Sequence, residues 1–174
     1  FGTLLAATWS YSYDPVSWGV ATVKDPNGNV TTNSWDASGN LLTKTDALIQ
    51  SSRYTYNSLN EVLTATDPLG VTTTNSYDTA GNLTKTSTPL LSFNPTIGTT
   101  QYAVTGLGYD PSHPGDLTSM TDANGKLWLY GYDSYGIRNR STDPTGDITT
   151  CAYDNVGRLQ STVSPNGNVL GGNP

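Results

Sequence analysis

An aromatic residue followed by Asp or Asn returns seven times along this 174-residue chain: Tyr13-Asp14, Trp35-Asp36, Tyr56-Asn57, Tyr77-Asp78, Tyr109-Asp110, Tyr132-Asp133 and Tyr153-Asp154. Successive aromatics lie 22, 21, 21, 32, 23 and 21 positions apart, so one interval departs strongly from the period. A fixed period of this size is the mark of one supersecondary unit copied down a chain. The surplus residues of the long interval fall around 88–106, a loop-like stretch with Pro95 and Gly98.

A second punctuation falls about midway between the aromatics. It reads Asp25-Pro26-Asn27-Gly28, Asp67-Pro68-Leu69-Gly70, Asp122-Ala123-Asn124-Gly125, Asp143-Pro144-Thr145-Gly146 and Ser164-Pro165-Asn166-Gly167, with a degenerate copy at Asp46-Ala47-Leu48-Ile49. An Asp or Ser carbonyl, carboxylate or hydroxyl bonds back onto turn amides, Pro presets φ, and Gly accepts a positive φ. That combination predicts a type I turn closed by a bulge, a common hairpin connection. The first punctuation follows the same logic, with Asp at position one and Gly39, Gly81, Gly136 or Gly157 at position four. Each repeat therefore holds two turns and two strands of roughly 6–8 residues. The expected fold is all-β: an antiparallel meander of about fourteen strands, forming a single-layer curved sheet. The array is expected to run continuously over residues 1–174.

Alternation assigns the faces, because residues two apart share a side of a strand. Tyr11 and Trp9 share the side of Tyr13; Tyr130 and Trp128 that of Tyr132; Tyr54 and Ser52 that of Tyr56; Asn33 and Thr31 that of Trp35. An apolar residue follows the first turn at Leu41, Val62, Leu83, Leu117 and Leu159, with Arg138 breaking the series. The other face is mainly Thr, Ser and Asn. The expectation is one moderately apolar face, concave and carrying a ladder of stacked rings, and one wet face.

Composition narrows the function. With 34% apolar and 13% charged residues, aliphatics are too few for a thick two-sheet core. A net charge of −6 and no Lys/Arg cluster argue against nucleic acid and anionic lipid as partners. No apolar run approaches the ~18 residues of a spanning helix. Nucleophilic catalysis needs a base beside the nucleophile, and the one histidine, His113, sits in an enlarged turn, Pro111-Ser112-His113-Pro114-Gly115, where a solvated side chain is expected. One His and one Cys do not make a zinc site. Asp122-Ala123-Asn124-Gly125 lacks the later ligands of a calcium loop. Cys151 is expected to be a small buried residue in a strand. Sequons at Asn29, Asn82 and Asn139 are common accidents in so Asn- and Thr-rich a chain. No cofactor is expected, and the chain is expected not to be an enzyme.

The runs Asn75-Ser76-Tyr77-Asp78-Thr79-Ala80-Gly81-Asn82-Leu83-Thr84 and Ala152-Tyr153-Asp154-Asn155-Val156-Gly157-Arg158-Leu159 resemble the YD repeat of the Rhs family, and the resemblance extends from about Tyr11 to Asn168. Its members include bacterial polymorphic-toxin shells, insecticidal toxin complex shells, wall-associated proteins and teneurins. The resemblance implies a strip of β-hairpins spiralling into a hollow shell, and an extracellular or cell-surface location. Many such shells end in an autoproteolytic aspartate motif and a toxic domain. No convincing copy of that motif is present, and no distinct domain is expected after residue 168. The first functional expectation is a non-catalytic shell segment that encloses or displays another domain. The second is a self-assembling extracellular tube or filament joined through sheet edges, with flanking repeats or further copies as partners. The third is an adhesive module that binds carbohydrate on exposed Tyr and Trp.

Overall fold

The computed structural model describes residues 7–90 and 100–165. Fourteen strands lie in sequence order in one open antiparallel sheet, and no α-helix occurs among the described residues. They are β1 (Ser10–Tyr13), β2 (Val20–Lys24), β3 (Val30–Trp35), β4 (Leu41–Thr45), β5 (Ser51–Tyr56), β6 (Val62–Thr66), β7 (Thr72–Tyr77), β8 (Leu83–Pro89), β9 (Tyr102–Tyr109), β10 (Leu117–Thr121), β11 (Leu127–Tyr132), β12 (Arg138–Thr142), β13 (Ile148–Tyr153) and β14 (Leu159–Val163). The array divides into two compact units, residues 1–75 and 76–174. The irregular interval falls in the second, where β8 and β9 pair from Lys85 opposite Gly106 to Pro89 opposite Tyr102. Residues 91–99 and the end of the turn beginning at Ser164 lie outside the described residues.

The turns explain why the chain reverses where it does. At Asp25, Asp36, Asp46, Asn57, Asp67, Asp78, Asp122, Asp133, Asp143 and Asp154 the first residue's amide donates to the carbonyl four residues on, at 2.9–3.0 Å. The fourth residue's amide donates back to the first carbonyl, at 2.9–3.2 Å. The fourth residue must then take a left-handed φ, which Gly adopts without steric cost. Gly28, Gly39, Gly70, Gly81, Gly125, Gly136, Gly146 and Gly157 all do so.

The degenerate copy keeps the same turn. Ile49 is forced to φ 65° and is 84% exposed. A β-branched residue there is strained by roughly 1–2 kcal/mol, and so exposed a side chain buries little to offset it. Ile49→Gly is therefore expected to raise stability by about 0.5–1 kcal/mol, after subtracting the unfolded-state entropy that Gly adds. The midpoint of urea unfolding measures this, and an unchanged or lower midpoint would contradict it.

In six of the seven repeats the first hairpin is seen to carry a bulge. In the first unit, Ser34 faces Thr43 but Trp35 faces Leu41, leaving Leu42 as the extra residue. The same shift leaves out Ala21 and Leu63. In the second unit it leaves out Thr118, Asn139 and Gln160. A bulge bends its strand and ends regular pairing. The ladder to the next repeat accordingly begins two residues after the bulged pair: Thr43 with Arg53, and Arg140 with Thr150.

No described residue is fully buried. In β3 the half-buried residues are Thr31, Asn33 and Trp35, and in β5 Tyr54 and Tyr56 alternate with exposed Arg53 and Thr55. The aromatic face is thus the better covered one. On the opposite face of the first unit, hydroxyls pair across strands: Ser12 with Thr22, Ser34 with Thr43 and Thr55 with Thr64, each at 2.6 Å. Without a core, the sheet is held by its ladder, its turns and such cross-strand pairs, each worth about 0.2–1 kcal/mol.

Candidate functional site

Two side-chain devices recur from repeat to repeat. The first is the turn carboxylate. Asp36 Oδ1 accepts from the amides of Ser38 and Asn40, at 2.9 and 2.8 Å, and its Oδ2 accepts from Asn40 Nδ2 at 2.9 Å. The same pattern holds at Asp78 with Ala80 and Asn82. At Asp154 it is Arg158 that donates to Oδ2, at 2.7 Å. Asn57 supports its turn through the uncharged Oδ1, which accepts from Leu59 and Glu61.

These bonds favour the ionised form. Side-chain donation from Asn40 and Asn82 holds the carboxyls of Asp36 and Asp78 below the usual range. Asn29 does the same for Asp25, Thr145 for Asp143, and the backbone amide of Arg158 for Asp154. A carboxyl with a depressed folded pKa contributes stability that is present above its unfolded value and lost as pH falls through its folded value. The thermal midpoint is therefore expected to hold steady near neutrality and to fall once pH drops below about 4. Asp36→Asn should shrink that acid-dependent fall, because Asn57 shows that an amide closes the same turn. An equally steep fall in the variant would contradict the assignment.

The second device is the aromatic anchor. Tyr56 Oη donates to the Leu41 carbonyl at 2.9 Å, Tyr132 Oη to Leu117 at 2.9 Å and Tyr153 Oη to Arg138 at 3.1 Å. Trp35 Nε1 donates to Val20 at 3.1 Å. In all four cases the acceptor lies fifteen residues earlier, at the first residue of the preceding repeat's bulged strand. The ladder has not yet begun there, so a side chain supplies the donor. Asn33 Nδ2 adds a second bond to the same Val20 carbonyl, at 2.8 Å. Partial burial pushes the Tyr56 phenol above its ordinary value, with Tyr54 and Asp36 adding to the rise.

These four anchors thus reach the backbone of the hairpin before them. Tyr130, on the face of Tyr132, is covered by the Arg138 guanidinium at 5.2 Å from the ring centre. Tyr13 and Tyr11 on β1 are exposed. Tyr77 and Tyr109 end β7 and β9 at the corresponding positions. Of the turn residues, Asp67, Asp122 and Asp143 each accept two backbone amides in the way Asp36 does.

Two first turns depart from the series: Asp14 closes on Gly19 and Asp110 on Asp116, one and two residues later than the regular turns close. A cavity of about 260 Å³ lies between the enlarged Asp110 turn and the β11–β12 turn, lined by Asp110, His113, Asp116, Tyr130, Tyr132 and Asp133 among others. His113 Nδ1 is 3.7 Å from Asp110 Oδ1, and its side chain is 73% exposed. The exposure of His113 agrees with the solvated turn side chain expected from the sequence, and Asp133 of the next repeat lines the same cavity. No group of three or more His, Cys, Asp or Glu among the described residues is arranged to hold a metal ion.

The sequence profile of the RHS Repeat family matches residues 35–72, 56–90 and 115–148, just over half the chain. No curated protein matches. Among solved structures, the chain is similar to the crystal structure of TcdB2-TccC3, with a TM-score of 0.69 and 18% identity over 93% of its length. It is also similar to TcdB2-TccC3-TEV, with a TM-score of 0.52 and 15% identity over 90%. A third similar structure is the Tc holotoxin pore of Photorhabdus luminescens carrying a TccC3 mutation, with a TM-score of 0.52 and 15% identity over 88%. The chain spans about a tenth of each of those three chains. At such identities the likeness is one of fold.

Proposed function

We propose, from the premise that this chain belongs to the RHS repeat family, that it is a non-catalytic wall segment of a larger extracellular shell that encloses or displays another domain. The observation that carries this reading is the sameness of the unit. One hairpin, with an Asp- or Asn-capped turn and, at four anchors, the same fifteen-residue reach to the hairpin before it, recurs with a period near twenty-one, which is how a surface is extended without a core. The likeness in fold to Tc toxin proteins supports the same reading. In this role the sheet curves, its two faces meet different surroundings, and its partners are further repeats along the strip and whatever the shell holds.

Negative-stain electron microscopy of the native protein tests the proposal. Discrete hollow particles are the expected result. Long polymers would overturn it in favour of a filament built through sheet edges. Retention on a panel of neutral glycans, with no hollow particle, would overturn it in favour of an adhesive module.

A further inference from the structure

Outside glycine, the described residues that hold a left-handed φ are Trp18, Ile49 and Asn60. Asn tolerates that conformation, and Asn60 also accepts a bond from Asn40 Nδ2 at 2.8 Å. Ile49 is β-branched and exposed, and no contact within the chain offsets its strain. Leu48 before it is 77% exposed, and Leu69, at the matching place in the β6–β7 turn, is 83% exposed. At that third turn position the β2–β3, β10–β11 and β12–β13 turns carry Asn27, Asn124 and Thr145 instead. Three aliphatic side chains thus stand in water on two neighbouring turns along one rim of the sheet. Strain kept at an exposed apolar cluster is a mark of contact with something outside the fold.

Beside the cluster a groove of about 460 Å³ opens between the β2–β3 and β4–β5 turns. Asn29 and Val30 line it from the first of these, Ala47 and Ile49 from the second. The carboxylates of Asp46 and Asp67 begin the two turns that carry the aliphatics. Each engages its turn amides through Oδ1, at 2.9 Å, and Oδ2 is left to accept from elsewhere. Neither turn carries a cation; Lys44 and Arg53 lie within β4 and β5.

We propose that this rim docks a basic segment of a partner protein, with an aliphatic side chain entering the groove against Ile49 and Lys or Arg side chains meeting Asp46 and Asp67. Charge selects that occupant. The two carboxylates attract cations and repel an acidic surface, and the chain's own net charge of −6 sets a second copy against it. Turns two strands apart lie about 10 Å from each other, so the paired cations stand about three residues apart in an extended segment. The surface is the same whether or not the sheet closes into a shell.

A library of random short peptides displayed on phage and panned on the intact chain tests this. Clones with an aliphatic residue flanked by Lys or Arg are expected to be enriched, and their capture to weaken as salt rises. Ile49→Gly relieves the strained turn, so capture lost on that variant is not lost folding. Leu48→Asn together with Leu69→Asn installs the residue that the β2–β3 turn already holds at this place. Each variant is expected to weaken capture about tenfold, the effect of an aliphatic side chain that no longer finds its contact. Leu59→Asn, on the opposite rim, is expected to leave capture unchanged. The proposal is overturned if no clone is enriched, if the enriched clones lack basic residues, or if Ile49→Gly and the double variant capture them as well as the wild-type chain does. An equal loss with Leu59→Asn would also overturn it, because the binding would then belong to exposed apolar surface in general.

Discussion

Replacing Gly19 with Ala is expected to lower the unfolding free energy by about 2–3 kcal/mol, the largest loss available from a single added methyl group here. A Cβ at residue 19 would stand 2.4 Å from Cε2 and 2.6 Å from Cδ2 of the Trp35 indole. The atoms it meets belong to a rigid ring, so the ring must swing away as a body. Doing so breaks the bond from Trp35 Nε1 to the Val20 carbonyl, adding a lost hydrogen bond to the steric cost. Urea unfolding of the variant measures the loss. Trp35→Leu placed in the Gly19→Ala background should cost less than Trp35→Leu alone, because the clash disappears with the ring. Additive costs for the two substitutions would show that the indole does not occupy the space above Gly19.

The anchor at Tyr132 separates two contributions that the sequence alone cannot distinguish. Tyr132→Phe keeps the ring and removes the donor to the Leu117 carbonyl, which is expected to cost about 1 kcal/mol. Tyr132→Ala removes the ring as well. It is expected to cost about 3 kcal/mol, the low end for deleting an aromatic side chain, because Tyr132 is only half-buried. Amide exchange in the β11–β12 hairpin should rise with both variants and more with the second. If Phe and Ala cost the same, the hydroxyl alone holds the repeats together. If Phe costs nothing, ring contact alone does.

The hairpin meander was legible because turn chemistry is local. Asp at position one and Gly at position four determine a reversal whatever lies elsewhere, so the Asp25 and Asp143 turns could be placed from four residues each. Ile49 shows the limit of that reasoning in the other direction. The motif looks lost there, yet the Asp46 carboxylate and the flanking strands impose the turn on a residue that resists it.

The bulges at Leu42 and Thr118 were not legible. One extra residue in a strand leaves no compositional trace, and stepping by twos past it assigns the wrong face. The reach of fifteen residues from anchor to carbonyl depends on that bulge, so it was hidden too. The cavity at His113 was partly legible: the enlarged turn stood out by its two prolines. What faces it across the gap depends on which turns become neighbours in the sheet, and that is settled only by pairing.

The fixed reach from anchor to earlier carbonyl limits how such a chain can change over evolutionary time. Gain or loss of a whole unit preserves every contact, because donor and acceptor shift together. Lengthening a reversal by two residues is also absorbed, as between Asp110 and Asp116, since the surplus loops outward. A single residue inserted into β3 would put Trp35 on the wrong side and strand its donor. Copy number is therefore free to drift while phase is not, and surviving insertions should cluster at the bends.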